Sequence, residues 1–229
     1  MADCELVIFD CDGTLMDSEV IAAEVETDML REYGATLTTQ EFIERFAGTS
    51  SFHVKAVMEE ELGRHFPDDH KTKVDQAMLE RLWREVKAVD GAHGVLDAFD
   101  QPRCVCSNAA MEKLKVELSR AELWDRFRPY VFSAKDLDGV EQKPAPDLFL
   151  YAAKEFGVQP QACLVVEDSV PGVQGAVAAG MRVVGFTGAS HTYPGHADAL
   201  TDAGAETVIR KLSDLPAFIA IMGAWDGLG

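Results

Sequence analysis

The chain has 229 residues, 47% of them hydrophobic and 26% charged, which is enough to bury the core of one large domain or two smaller ones. Its 39 acidic residues against 21 basic ones give a formal net charge of −18. That charge repels nucleic acid and anionic membrane, so neither is an expected partner, and an anionic substrate would need local positive charge in its pocket.

The chain opens on Met1-Ala2-Asp3-Cys4-Glu5, acidic where a signal peptide is basic, and no apolar stretch approaches membrane-spanning length. Residues 6–14, Leu6-Val7-Ile8-Phe9-Asp10-Cys11-Asp12-Gly13-Thr14, then carry the strongest signal. The unbroken apolar run Leu6–Phe9 reads as a strand buried on both faces of a parallel sheet. Asp10 and Asp12 emerge at its carboxyl end, where open α/β sheets place their ligand sites. Two adjacent carboxylates repel each other unless a cation or a shared proton compensates them, so the motif predicts a hard metal ion such as Mg²⁺, split pKa values, or both.

After Thr14 the period changes. Helices are expected from Ser18 to about Tyr33, over Gln40–Phe46 behind a Thr38/Thr39 cap, from about Phe52 to Gly63, and over 68–87. The last of these carries Val74, Ala77, Met78, Leu82, Trp83 and Val86 on its apolar face. No strand is expected between Met16 and about Lys87, which makes this stretch an all-helical insertion.

From Asp90 onward strands and helices alternate. Strands are expected at Arg103–Ser107, Tyr130–Ser133, Cys163–Glu167, Val183–Phe186 and Thr207–Ile209. Helices are expected at Met111–Ala121, Pro146–Phe156, Val170–Ala179 and Leu215–Met222, with a short one near Ala197–Ala203. The alternation predicts an α/β fold with a Rossmann-like, doubly wound parallel sheet. Its core is residues 1–15 and 89–229, and the inserted α-helical cap domain is residues 16–88.

Three further polar groups follow expected strands. Ser107-Asn108 offers a hydroxyl and backbone amides to phosphate oxygens at the start of a helix. In Gln142-Lys143-Pro144-Ala145-Pro146-Asp147, two prolines stiffen the chain and hold the lysine ammonium in place. Glu167-Asp168 puts two more carboxylates at a strand end, where they need a cation. Together these strand-end groups suit Mg²⁺ and a phosphoryl group. The five cysteines, Cys4, Cys11, Cys104, Cys106 and Cys163, have no metal-type spacing and read as buried thiols of a cytoplasmic protein. No coiled-coil seam or apolar stripe argues for assembly, so a monomer is expected.

With Asp10–Thr14, Ser107-Asn108, Lys143-Pro144 and Glu167-Asp168 in this order, essentially the whole chain resembles the haloacid dehalogenase superfamily of phosphohydrolases. The likeness is to the helical-cap branch that includes β-phosphoglucomutase and small sugar phosphatases, and most of all to 6-phosphogluconate phosphatase-like members. The resemblance implies that Asp10 is the nucleophile that forms an aspartyl-phosphate, and that Asp12 is the general acid and then the base. It implies that Asp10, Asp12 through its backbone carbonyl, and Asp168 hold Mg²⁺, with Glu167 a ligand directly or through water. Ser107 and Lys143 would bind the phosphoryl, with Thr14 and Asn108 beside them.

It further implies that the cap closes over the core and reads the leaving group. The loop Ala47–Ser51, with Gly48, Thr49 and Ser51, is the expected reader, and Arg45, His53 and Lys55 are candidate anion partners. The substrate expected is a small phosphorylated metabolite, a sugar phosphate or a phosphorylated sugar acid such as 6-phosphogluconate. Where β-phosphoglucomutase has a first-cap-helix histidine and cap-loop basic residues, this chain has Ala22, Ala47 and Ser51, which favours a phosphatase over a mutase. A phospho-accepting signalling or binding module is the alternative from another class, but it would lack both the cap and Asp12. His191 and His196 read as residues of an ordinary loop, and Trp83 and Trp124 as packing residues.

Overall fold

The computed structural model describes residues 3–46, 49 and 51–224. Its centre is a six-stranded, all-parallel sheet in the order β3-β2-β1-β4-β5-β6, built from β1 (Leu6–Phe9), β2 (Arg103–Ser107), β3 (Val131–Ser133), β4 (Cys163–Glu167), β5 (Arg182–Phe186) and β6 (Thr207–Ile209). The register pairs Val7 with Arg103 and Leu164, so β1 is flanked by β2 on one side and β4 on the other. The chain therefore reverses its winding direction at β1, and the crevice above its carboxyl end is the switch point where such sheets bind ligands.

All four residues of β1 are buried, as a central parallel strand requires, and successive side chains serve opposite layers. Val7 and Phe9 pack with Leu114 and Leu118 of α6 (Met111–Arg120) and with Leu215 and Ile219 of α11 (Leu215–Ala224). Leu6 and Ile8 face Leu148, Phe149 and Ala152 of α8 (Asp147–Phe156), and Val173 and Ala176 of α9 (Val170–Ala178). Each fully buried side chain of this kind contributes about 1.5–3 kcal/mol. All five cysteines are free and buried, Cys104, Cys106 and Cys163 in the second of these layers.

Between β1 and β2 lie α1 (Glu19–Glu32), α2 (Thr39–Phe46), α3 (Ser51–Leu62) and α4 (His70–Glu85), with no strand among the described residues. The Thr38 hydroxyl accepts from the Glu41 amide at 3.2 Å, and the Glu41 carboxylate accepts from the Thr38 amide at 2.7 Å, a reciprocal cap that starts α2. These helices share an apolar cluster of their own, with Leu30, Phe42, Phe46, Val54, Met58 and Phe66. At its base Met16 bridges Ala88, the Asp17 amide donates to the Lys87 carbonyl, and the Val89 amide to the Leu15 carbonyl.

The structure departs from expectation in two places. Trp83 is 60% exposed, because Leu82 and Val86, not Trp83, turn toward the core. Two short helices, α5 (Ala92–Leu96) and α7 (Trp124–Phe127), were not anticipated; at about one turn each they are too short to show a helical period. A further helix, α10 (His196–Asp202), follows β5. No described helix is long and apolar enough to cross a membrane.

Candidate active site

Asp10 is the first residue past β1, and its amide donates to the Val166 carbonyl at 3.0 Å. Its carboxylate is buried against Lys143, whose ammonium also donates to Glu167 Oε1 at 2.6 Å and to the Cys106 carbonyl at 2.7 Å. Three acceptors satisfy all three ammonium protons. Burial alone would lower the Lys143 pKa, but Asp10 and Glu167 override it and keep the lysine charged.

The Asn108 side chain clasps the Lys143 backbone from both sides, Oδ1 accepting from its amide at 2.9 Å and Nδ2 donating to its carbonyl at 3.1 Å. Asn108 also lines the cavity, but its side chain is already engaged in placing the lysine. Ser107 is buried, lines the same cavity, and accepts from the Ala109 amide at 2.9 Å.

Asp12 stands on the other side of the crevice. Its Oδ1 accepts from the Ser18 hydroxyl at 2.6 Å and from the Lys113 ammonium, which lies 3.2 Å from Glu117 on the next turn of α6. Burial pushes the Asp12 pKa up, but the Lys113 charge and the hydrogen bonds from Lys113 and Ser18 outweigh it and leave it below its usual value. Asp10 is the opposite case. Burial and the charges of Glu167, Asp168 and Asp12 push it well above its usual range, against the pull of Lys143. The surroundings thus push two carboxylates two residues apart in opposite directions.

Behind them Glu167 is fully buried, one oxygen on Lys143 and the other accepting from the Ser169 amide and hydroxyl, each at 2.9 Å. Asp168 faces the cavity and accepts from the Thr14 hydroxyl at 2.9 Å. Two glycines make this packing possible. A Cβ at Gly172 would stand 1.8 Å from Glu167 Oε1, and one at Gly13, where φ is +78°, 2.1 Å from Asp168 Oδ2.

Several expected site residues are placed differently. Thr14 is fully buried and is not among the lining residues, and its hydroxyl is engaged with Asp168. Glu167 has both oxygens engaged by Lys143 and Ser169 and does not line the cavity, which places it behind Lys143. Arg45 is drawn to Glu61, and Lys55 lies 3.7 Å from Glu59; neither lines the cavity, and nor does His53. Thr49 and Ser51 do line it, while Gly48 and Ala47 lie outside the described residues.

His191 and His196 are not bystanders. His191 Nε2 is 3.0 Å from Asp168 Oδ2, and His196 Nε2 is 2.6 Å from the Asp168 carbonyl. Burial would lower the His191 pKa, but its bond to Asp168 and the nearby acidic charges raise it to about 9. Nothing in the spacing of Gly188-Ala189-Ser190-His191 points to this. The loop after β5 turns back over the end of β4, and only the fold shows it. Lys113 was also missed, although its position on the first turns of a helix that follows β2 was a usable signal.

The cavity above these groups has a volume of about 590 Å³. Asp10, Asp12, Ser107, Lys143 and Asp168 form its floor, and Glu19, Ala22, Glu26, Phe46, Ser51 and Lys71 are among the cap-helix residues on its walls. Among the described residues no group of three or more His, Cys, Asp and Glu side chains is arranged to hold a metal ion, but the floor has the chemistry a hard cation takes. It presents oxygen donors, and its buried acidic groups outnumber the two ammonium groups, so that Asp10 is driven toward protonation when no further positive charge is present.

Residues 7–186 match the haloacid dehalogenase-like hydrolase family. The chain is 35% identical over 195 residues to the 6-phosphogluconate phosphatase of Escherichia coli (strain K12), covering 85% of this chain and 87% of that one. Among solved structures, a haloacid dehalogenase-like protein of unknown function from Agrobacterium tumefaciens str. C58 superposes with a TM-score of 0.90 at 49% identity, over 96% of this chain and 99% of that one. A haloacid dehalogenase family hydrolase from Deinococcus radiodurans R1, solved with bound phosphate and sodium, superposes with a TM-score of 0.82 at 30% identity, over 97% and 98% of the two chains. With a parallel sheet that carries Asp10, Asp12, Ser107, Lys143 and Asp168 to one crevice and a family match over most of its length, this chain belongs to the haloacid dehalogenase-like hydrolases.

Proposed function

We propose that the chain is a Mg²⁺-dependent phosphatase that hydrolyses a small phosphorylated metabolite, a sugar phosphate or phosphorylated sugar acid, through an aspartyl-phosphate on Asp10. The observation that carries this is the pair Asp10 and Asp12 on one cavity floor, each gripped by its own lysine. Asp10 and Asp168, with the Asp12 backbone carbonyl, would hold the metal. Bound there, Mg²⁺ supplies positive charge that keeps Asp10 ionised and offsets charge on the phosphoryl oxygens.

Asp10 attacks phosphorus in line, the bond to the leaving oxygen breaks, and Asp12 delivers a proton to that oxygen. The resting Asp12 is ionised, so its proton is taken up as the negative phosphate enters and raises its pKa. Asp12 then takes a proton from water, which attacks the aspartyl-phosphate, releases inorganic phosphate and restores Asp10. Lys143, held by Glu167 and by Asn108, stays charged beside the transferring group, and Ser107 offers its hydroxyl.

The same reading divides the chain into a core of residues 1–15 and 89–229 and a cap of residues 16–88, supported by the paired segments at Met16 and Ala88. Ala22 and Ser51 on the cavity wall, in place of a histidine and a basic residue, support hydrolysis over mutase chemistry. The test is phosphate release from a panel of sugar phosphates and phosphorylated sugar acids, with and without Mg²⁺, with Asp10→Asn as the blank. Mg²⁺-dependent release lost in the variant is expected. Conversion of β-glucose 1-phosphate to the 6-phosphate without release would establish a mutase and sink the proposal.

A further inference from the structure

One face of α1 forms a ladder up the cavity wall. Glu19, Ala22, Ala23 and Glu26 all line the cavity, with the spacing of a single helical stripe. Glu19 sits near Asp12 and Lys113 at the floor. Glu26, seven residues on, is about 10 Å further from it along the helix axis. The two alanines between them leave room for the body of a substrate.

Glu26 is a buried carboxylate, and the Ser51 hydroxyl hydrogen-bonds to it from the next wall. Among the described cap residues one cation, Lys71, reaches this end of the cavity. Lys71 lines the cavity but is paired with Asp75, which lines it too. Arg45 and Lys55 are turned away to Glu61 and Glu59. Lys113 and Lys143 are engaged at the floor, and Lys135 stands on the core wall just past β3. The floor therefore brings two lysines to the place where phosphate binds, whereas the cap end sets the buried carboxylate of Glu26 beside a single lysine already shared with Asp75.

We propose that this cap end selects a neutral, polyhydroxylated leaving group and rejects one that ends in a carboxylate, with Glu26 as the specificity-determining residue. This rests on the phosphatase reading and narrows it. A substrate hydroxyl at this depth donates to Glu26, and hydrogen bonds to charged groups are the stronger kind. With Glu26 ionised, a carboxylate in the same place makes no such bond and meets a like charge. A site built to bond a hydroxyl discriminates strongly against a group that cannot donate, so a tenfold or greater difference is expected.

The closing experiment uses glucitol 6-phosphate and 6-phosphogluconate, which differ only in a terminal CH₂OH against a carboxylate. Their binding to the Asp10→Asn protein is measured by calorimetry with Mg²⁺ at pH 8, to favour ionised Glu26. The alcohol is expected to bind at least tenfold more tightly, and adding Glu26→Gln should bring the two within about threefold. Equal or tighter binding of the acid, no binding of either, or a ratio unmoved by Glu26→Gln would overturn the proposal. Hydrolysis of p-nitrophenyl phosphate by the unaltered protein separates the two claims. Turnover with preference for the acid sinks the selectivity alone, and selectivity without turnover sinks the phosphatase reading alone.

Discussion

Replacing Lys143 by Met keeps most of the side chain's length and removes its charge. The ammonium is almost wholly buried and satisfies two carboxylates and one carbonyl at once. Removing one partner of a buried ion pair costs about 3–5 kcal/mol, because the remaining charge is left without compensation. Here two carboxylates are stranded, so the loss at pH 7.5 should fall in that range. The pH dependence has a definite sign. Asp10 already has a folded-state pKa above its unfolded value, so it favours the fold at acid pH, and that contribution is lost as pH rises through the folded pKa.

Without Lys143 the pull that lowers the Asp10 pKa is gone and Asp10 moves further up, so the variant's deficit should shrink as pH falls from 7.5 to 5. One proton taken up over that interval is worth at most about 3 kcal/mol. Urea unfolding followed by circular dichroism in EDTA, at both pH values, measures the difference. A loss below about 1 kcal/mol, or one of equal size at both pH values, would refute the view of Lys143 as the counter-charge for this pair. Activity should fall by a factor of about 10²–10³, as for loss of one preorganised donor to the reacting group.

Gly172→Ala should destabilise by about 1–3 kcal/mol and reduce kcat, since its Cβ would collide with the Glu167 carboxylate that holds Lys143; a raised melting temperature, as helix propensity alone would give, would contradict this. His191 has a folded pKa of about 9, so its contribution is fully present below about pH 6.5 and is lost as pH rises through 9. His191→Gln in EDTA should therefore cost more at pH 6 than at pH 9.5, by no more than about 3 kcal/mol, and equal costs in urea titrations would reject the assignment. Lys113→Met removes the charge that holds Asp12 down, so the acid limb of the kcat/KM profile should move to higher pH; an unmoved limb would show that Asp12 does not set it.

The strand-end chemistry was legible because short apolar runs such as Leu6–Phe9 and Cys163–Val166, alternating with helical patterns, suit central parallel strands, and polar residues at their ends then meet at one edge of the sheet. The cap was legible as helices but not as a surface. Whether Arg45 or Lys55 points inward depends on which acidic residue each meets, and only the fold brings Glu61 to Arg45. Lys55 could have been set aside from the sequence, because Glu59 lies one helical turn away. Thr14 shows a different limit: the resemblance set it beside the phosphoryl, and nothing in the sequence showed that its hydroxyl reaches 154 residues along the chain to Asp168. His191 and His196 failed the same way, through a loop whose return over β4 leaves no periodic trace.

The charge arrangement ties these residues to one argument. A chain with a net charge of −18 repels its own anionic substrate until the substrate is close, so attraction must be local. The floor cannot supply it with lysines alone, since Lys143 and Lys113 are each paired with carboxylates in the resting site. Affinity for phosphate should therefore depend on added divalent charge, whereas affinity for the rest of the substrate depends on what the cap wall will accept. With Arg45 and Lys55 paired on the cap's outer surface and Glu26 on its inner one, Lys71, shared with Asp75, is the one cation that the described cap residues bring to that wall. Selection for phosphate at one end and against carboxylate at the other then follows from the same scarcity of unpaired cations.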